Sequence, residues 1–275
     1  MSDLSISYRQ APQRTFSFGR IIGLLLLAGF AVCALFGANL IGIDPARQSL
    51  MDTLQQPSAA HWLGTDHLGR DMLARLLSGA QLSLSLALLS VVTAAIPGTI
   101  LGCVAAWWGG WVERLLTLLA DAVLALPGLL LVLMLAAISL GSWWALYAGL
   151  SLTLWVEYFR YTRQRARVVL ADPSVEASRL LGFGPLYIVR RHLLPDIGPS
   201  LLTIAAFGAA TAVTAVAALG FVSVGIRPPT AEWGGMMTEL LPYWREAPFL
   251  IFQPVICLVL VVLALNLSVS GVGRT

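Results

Sequence analysis

At 275 residues, the chain is 58% hydrophobic and only 11% charged, with a mean hydropathy of +0.82. A water-soluble core cannot absorb that apolar fraction, so soluble globular and disordered classes are excluded and lipid is the solvent indicated. The formal charge of +3 comes from arginine with no lysine at all, too small and too scattered for a nucleic-acid footprint.

Arg9, Arg14 and Arg20 precede the first of six apolar stretches, at 21–41, 82–106, 115–140, 143–159, 201–222 and 249–269. Crossing about 30 Å of hydrocarbon takes roughly 20 mainly apolar residues in a helix, because no water is available to pair the backbone. The chain is therefore expected to be an all-α, polytopic membrane bundle of six transmembrane helices, the fourth being the shortest. The first stretch is longer than a signal-peptide core and lacks an A-x-A cleavage site, so it reads as an uncleaved span. With both termini cytoplasmic, only Arg47, Arg70, Arg75, Arg227 and Arg245 of the 17 arginines fall outside, as the positive-inside rule favours. The organisation expected is a cytoplasmic tail at 1–20 and one membrane domain at 21–275, with outer segments at 42–81 and 223–248 and an inner segment at 160–200.

The first outer segment contains His61-Trp62-Leu63-Gly64-Thr65-Asp66-His67-Leu68-Gly69-Arg70-Asp71. Gly64 and Gly69 allow tight turns, while Asp66, Arg70 and Asp71 offer a charge network to pin the loop before the second span. His61, His67 and Asp66 are residue types that suit nickel or zinc, but the structural role outweighs the ligand role and no metal site is assigned. Cys33, Cys103 and Cys257 each stand alone in apolar runs, without disulfide or metal-ligand spacing. Pro97, Pro127 and Pro254 predict kinks within the second, third and sixth spans.

Asp121 and Glu157 are the carboxylates inside predicted spans, where such groups face a partner or water. Asp121 is expected to pair with Arg114, and Glu157 to meet Arg160 or Tyr161.

In the inner segment Asp172 can cap a helix, Pro173 suits its first position and Glu176 complements its positive end. Gly182 should end that helix in a left-handed cap, and Pro185 should open a second short helix that ends at Pro195. So short a helix must be held by packing one face, taken as Ala177, Leu180 and Leu181, with Glu176 and Arg179 on another side. A docking soluble protein and an amphipathic helix lying on anionic headgroups both account for these features. In the second outer segment, Ala218 to Gly234 includes the stiff Pro228-Pro229 pair, and Trp233 is a candidate anchor for an outer lid.

Glu176-Ala177-Ser178 with Gly182 and then Leu194-Pro195 resembles the EAA loop of binding-protein-dependent ABC importer permeases, with Ser178 in place of alanine. Arg191-His192-Leu193-Leu194-Pro195 and the His61–Asp71 run are similar to segments of the oligopeptide, dipeptide and nickel branch of that family. The Ala218–Gly234 run also resembles that branch, with Gly220 and Ser223 exchanging the usual serine and glycine. The resemblance implies a type I ABC importer permease in the bacterial inner membrane. In its coupling loop, Glu176, Ala177, Ser178, Arg179, Leu180, Gly182, His192, Leu194 and Pro195 would meet a cytoplasmic ATPase. It implies, as partners, a second homologous permease, two ATPase subunits that use ATP and Mg, and an extracytoplasmic solute-binding protein. This chain itself is expected to bind no cofactor, and its solute is a peptide, nickel or a metal chelate such as a metallophore. No phosphate-cradling G-x-x-x-x-G-K-[ST] loop and no catalytic motif occurs, so ATP hydrolysis and intramembrane catalysis are not expected of it. The alternative is a proton-coupled secondary transporter using Asp121 and Glu157.

Overall fold

A computed structural model describes residues 18–271, so most of the tail at 1–20 and the last four residues lie outside the described residues. Helix α1 (Phe18–Ile41) is followed by an outer segment that carries one short 3-10 turn. Then come α2 (Met72–Trp108), α3 (Gly110–Leu124), α4 (Gly128–Ile138) and α5 (Trp143–Leu170). The inner connection holds α6 (Pro173–Leu180) and α7 (Pro185–Ile188), and α8 (Leu194–Phe221), α9 (Trp233–Leu240) and α10 (Pro248–Ser268) complete the bundle.

The core is built where α2 packs along α5 and α8, with α1 and α10 closing one side and α4 lying on α5. Small residues permit the closest approaches. A Cβ on Gly98 would come within 2.5 Å of Trp155 O, and one on Gly102 within 2.7 Å of Thr162 Cβ, so α2 and α5 meet almost backbone to backbone.

Four helices (α1, α2, α8 and α10) are long and apolar enough to cross a membrane, and α3 with α4 makes a fifth as a bent pair. The remaining predicted span, within α5, falls short by composition because its inner end carries Glu157 and Arg160 among aromatic residues. The third span is not one helix kinked at Pro127 but two helices bent by 75° there, since proline removes a donor and crowds the preceding turn. Pro97 and Pro254, in contrast, lie inside continuous helices.

Helical structure also takes over the ends of two predicted loops. The outer segment stops at Asp71, whose carboxylate caps α2 by accepting from Ala74 N at 2.8 Å. The inner segment shrinks because α5 runs on to Leu170 and α8 begins at Leu194. Nor does the second short helix end at Pro195. A π-helical turn, Val189–Leu193, carries it into α8, and Leu194 N bonds Val189 O across the widened turn that admits the proline ring.

Candidate functional site

The inner connection presents a helix held in place from behind. Asp172 caps α6 by accepting from Ser174 N at 2.8 Å, with Pro173 in the first turn. At its other end Gly182 has φ +84, Gly182 N donates to Arg179 O and Phe183 N to Ser178 O, a paired closure that ends the helix sharply. Two hydrogen-bonded ends and a proline therefore fix eight residues that would be too few to hold a helix alone.

The face that holds α6 is not the one expected. Val175 is 0% exposed and Ser178 is buried, whereas Leu180 and Leu181 stand 84% and 77% exposed and Ala177 is exposed beside them. A helix that keeps its leucines out while its other side is anchored offers those leucines to something beyond this chain. Glu176 is exposed as well, while Arg179 lies over the Trp107 ring at 5.3 Å and ties α6 to the inner end of α2.

Ser178 and His192, predicted separately, are brought together. Ser178 Oγ donates to Ser174 O at 2.9 Å and lies 3.0 Å from His192 Nε2, so the imidazole must be the donor in that second bond. His192 also meets Tyr187 edge-on, and Tyr187 stacks on Phe183. Leu194 and Pro195 are exposed at the head of α8, one residue past the buried Leu193.

The arginines at the end of α5 make ion pairs. Arg165 grips Asp196 with a two-point fork at 2.6 and 2.9 Å, and Arg163 and Arg167 both reach Glu113, which joins α5 to α8 and α3. Asp121 pairs with Arg160 at 2.5 Å rather than with Arg114, because the exposed end of α5 lies against α3. Glu157, deprived of Arg160, is exposed and has no ion pair among the described residues. Of the two carboxylates that the proton-carrier alternative invokes, Asp121 is thus engaged by a cation.

On the outer side, the predicted network of Asp66, Arg70 and Asp71 is present but larger. Arg70 Nε binds Asp66 at 2.6 Å, Arg70 and Arg75 reach Glu239 at 2.5 and 2.8 Å, and Asp71 holds His61 at 2.9 Å. Thr65 is buried, with its hydroxyl donating to Asp52 O and accepting from Gln55 N. Gly64 and Gly69 have φ +80 and +70, with backbone carbonyls of Gln55 and Ser49 where a side chain would sit. Arg75 and Glu239 were not singled out from sequence. An arginine in the apolar run that opens α2 was the available signal, because such a charge needs a counter-ion.

Asp66, His67 and Glu239 bring three ligand atoms within 4.8 Å of one another, a spacing a metal ion can bridge. Arg70 and Arg75 already hold those carboxylates, so two fixed positive charges oppose a cation there. His67 stacks on Tyr243 at 5.2 Å, and burial pushes its imidazole below the ordinary value despite Asp66 nearby.

Trp233 is not a surface anchor. It is 0% exposed, its Nε1 donates to Leu76 O at 3.1 Å, and it fills the notch left by Gly79 on α2. Glu232, missed from sequence, caps α9 by accepting from Gly234 N and Gly235 N at 2.8 and 2.9 Å, and burial raises its carboxyl. Gly234 lies against Ala217 O with no room for a side chain. Pro228 and Pro229 are exposed. The outer segments are thus buckled onto α2 and α8, leaving the proline pair as the free rim.

Residues 98–274 match the family of binding-protein-dependent transport system inner membrane components. The chain is 36% identical to the di/tripeptide transport system permease protein DppC of Pseudomonas aeruginosa, covering 98% of this chain and 93% of that one. It is 32% identical to the dipeptide transport system permease protein DppC of Alkalihalophilus pseudofirmus, over 91% and 83% of the two chains. A further relative, the glutathione transport system permease protein GsiD of Pectobacterium atrosepticum, is 32% identical over 90% of this chain and 83% of its own. Among solved structures, the fold resembles a chain of the MetNI methionine ABC transporter in an inward-facing form, with a TM-score of 0.56 and 20% identity over 74% of this chain and 98% of that one.

Proposed function

Because the chain belongs to the binding-protein-dependent transport system inner membrane component family, and is a permease subunit with no catalytic role of its own, we propose that it imports small peptides. A soluble binding protein hands the peptide over outside. This chain and a second, homologous permease form the path between them, and two cytoplasmic ATPases, which use ATP and Mg, drive it through α6. Both termini are cytoplasmic in this reading, which puts the arginine-rich end of α5 inside. The relatives named for dipeptides, di/tripeptides and glutathione support a peptide rather than nickel or a metallophore as the solute.

The observation that carries the reading is α6 itself, braced through Val175 and Ser178 while Leu180 and Leu181 point away from the chain. An apolar edge of that kind fits a groove in a soluble protein, and the contacts of α6 with α5 and, through Ser178 and His192, with the turn that opens α8 give a push on it a route into the bundle. The test is uptake by proteoliposomes holding both permeases and both ATPases, with binding protein outside and ATP inside. Dipeptide should accumulate only with ATP, and replacing Leu180 and Leu181 together by serine should abolish uptake while the permeases still assemble. Uptake that persists without ATPases, or accumulation of nickel in place of peptide, would overturn the assignment.

A further inference from the structure

Helix α5 carries a polar stripe along one face, half-buried at Thr153 and exposed from Glu157 on. Thr153, Glu157, Arg160 and Gln164 fall at helical spacing, while Leu154, Val156, Tyr158, Phe159 and Thr162 around them are buried. Arg160 is engaged with Asp121, but Glu157 has no ion pair or hydrogen bond among the described residues. Trp143, Trp144 and Tyr147 cluster at the opposite end of α5, as rings at an interface do. Glu157 lies about 21 Å along the axis from Trp143 at 1.5 Å per residue, which sets it within the inner half of the membrane.

The break between α3 and α4 stands against the same stripe. A Cβ on Gly128 would lie 3.7 Å from Thr153 Cγ2, so the elbow rests one turn from Glu157. Residues 124–130 are all exposed, and no side chain caps either helix end at the break. Helix ends leave backbone carbonyls and amides without partners, and irregular backbone at membrane depth is tolerated only within protein or beside water. An unpaired carboxylate at that depth has the same need. Two independent features side by side thus disfavour lipid on this face of α5.

We infer that this face lines the solute path, and that the Glu157 carboxylate binds the ammonium group at the amino terminus of the passing peptide. The second half rests on the peptide reading above; the first does not. Charge complementarity fixes the ligand chemistry: an anionic group on the wall of the path holds a primary ammonium and repels a free carboxylate. The Arg160–Asp121 pair just inward neutralises its own charges and leaves Glu157 as the net charge of the stripe.

The test uses the assembled transporter in proteoliposomes, with Cys33, Cys103 and Cys257 replaced by alanine. Glu157→Cys should react with a membrane-impermeant cationic thiosulfonate, and trapping the ATPases with vanadate should change that rate at least threefold. Glu157→Gln should lower dipeptide uptake about tenfold, and Glu157→Asp should keep half or more of it. Reaction with a lipid-soluble maleimide only, or with neither reagent, would place Glu157 against lipid or the partner permease and overturn the path assignment. Undiminished uptake by Glu157→Gln, with normal uptake by the unaltered protein, would overturn the ammonium assignment alone. Should the unaltered protein import no peptide, the cargo reading and the ammonium assignment fall together, and the labelling still decides whether Glu157 faces the path.

Discussion

Arg70 Nη2 lies 2.5 Å from Glu239 Oε2, an ion pair between two outer segments whose residues are 169 positions apart in the chain. Arg75 shares the same carboxylate oxygen at 2.8 Å, and both guanidinium groups are buried. Glu239→Gln should therefore leave two buried cations sharing Asp66 alone, a loss of about 3 kcal/mol or more because the unpaired charge cannot return to water. Thermal unfolding of the purified assembly should show a Tm several degrees lower, with the outer segments cut earlier by protease. An unchanged Tm would mean that the clasp is not closed in the assembled transporter.

Ser178 is the position where the EAA-like run departs from alanine, and its hydroxyl accepts from His192 Nε2. Ser178→Ala should leave the imidazole N–H without its partner beneath α6 and cost about 1 kcal/mol. The expected readout is a small fall in uptake, reversed in large part by Ser178→Thr. If alanine raises uptake instead, the bond holds α6 in a less productive position.

Helix α6 was legible because its parts are local. A capping aspartate, a first-turn proline and a glycine at the stop occupy fixed offsets, and Asp172, Pro173 and Gly182 take up those roles. What sequence left dark depends on distant partners. Nothing near Arg75 points to Glu239, and nothing near Trp233 points to the Gly79 notch that buries it. The apolar faces of short helices are equally ambiguous, since the exposed Leu180 and Leu181 look the same in sequence as core leucines. The break at Pro127 was visible as a proline, but its 75° angle is set by how α4 packs on α5.

Ser223 adopts φ +63 at the end of α8, where Ser223 N bonds Gly220 O and Val224 N bonds Leu219 O. The family-like run has glycine there, and the left-handed conformation costs a side-chain-bearing residue about 1 kcal/mol. Ser223→Gly should stabilise the protein by that amount, a rise of a few degrees in Tm. Gly220→Ser, the other half of the exchange, should do the opposite, since its Cβ would run into Glu232 Oε2. Equal Tm values for both variants would contradict this account.

Burial raises the Glu232 carboxyl above its ordinary 4.5, with the amides of Gly234 and Gly235 pulling the other way. A raised acid binds its proton more tightly in the folded state, so its contribution is fully present below about pH 4.5 and is lost as pH rises through the folded value. Measured as unaltered protein minus Glu232→Gln, which isolates this group from His67, stability should fall as pH increases from 4.5 upward. A difference that grows over that range would show that the two backbone bonds outweigh burial.

Gly182 offers the sharpest test of α6 as a lever, because its two possible roles separate cleanly. A Cβ there meets nothing within 4 Å, so a substitution creates no clash and acts only through φ +84. Valine should strain that backbone by about 1–2 kcal/mol, whereas asparagine, which tolerates the left-handed region, should cost much less. If the strain is relieved by α6 leaving its position, the docking-competent population falls about five- to thirty-fold and ATP-driven uptake falls with it. Membrane insertion and pairing with the second permease should be unaffected, because Gly182 lies outside the membrane-spanning helices and a side chain there meets no other group of the chain. Uptake ranked glycine, then asparagine, then valine, at equal amounts of assembled transporter, is the expected order. Equal uptake by all three would mean that the exposed leucines of α6 are not where the motor pushes.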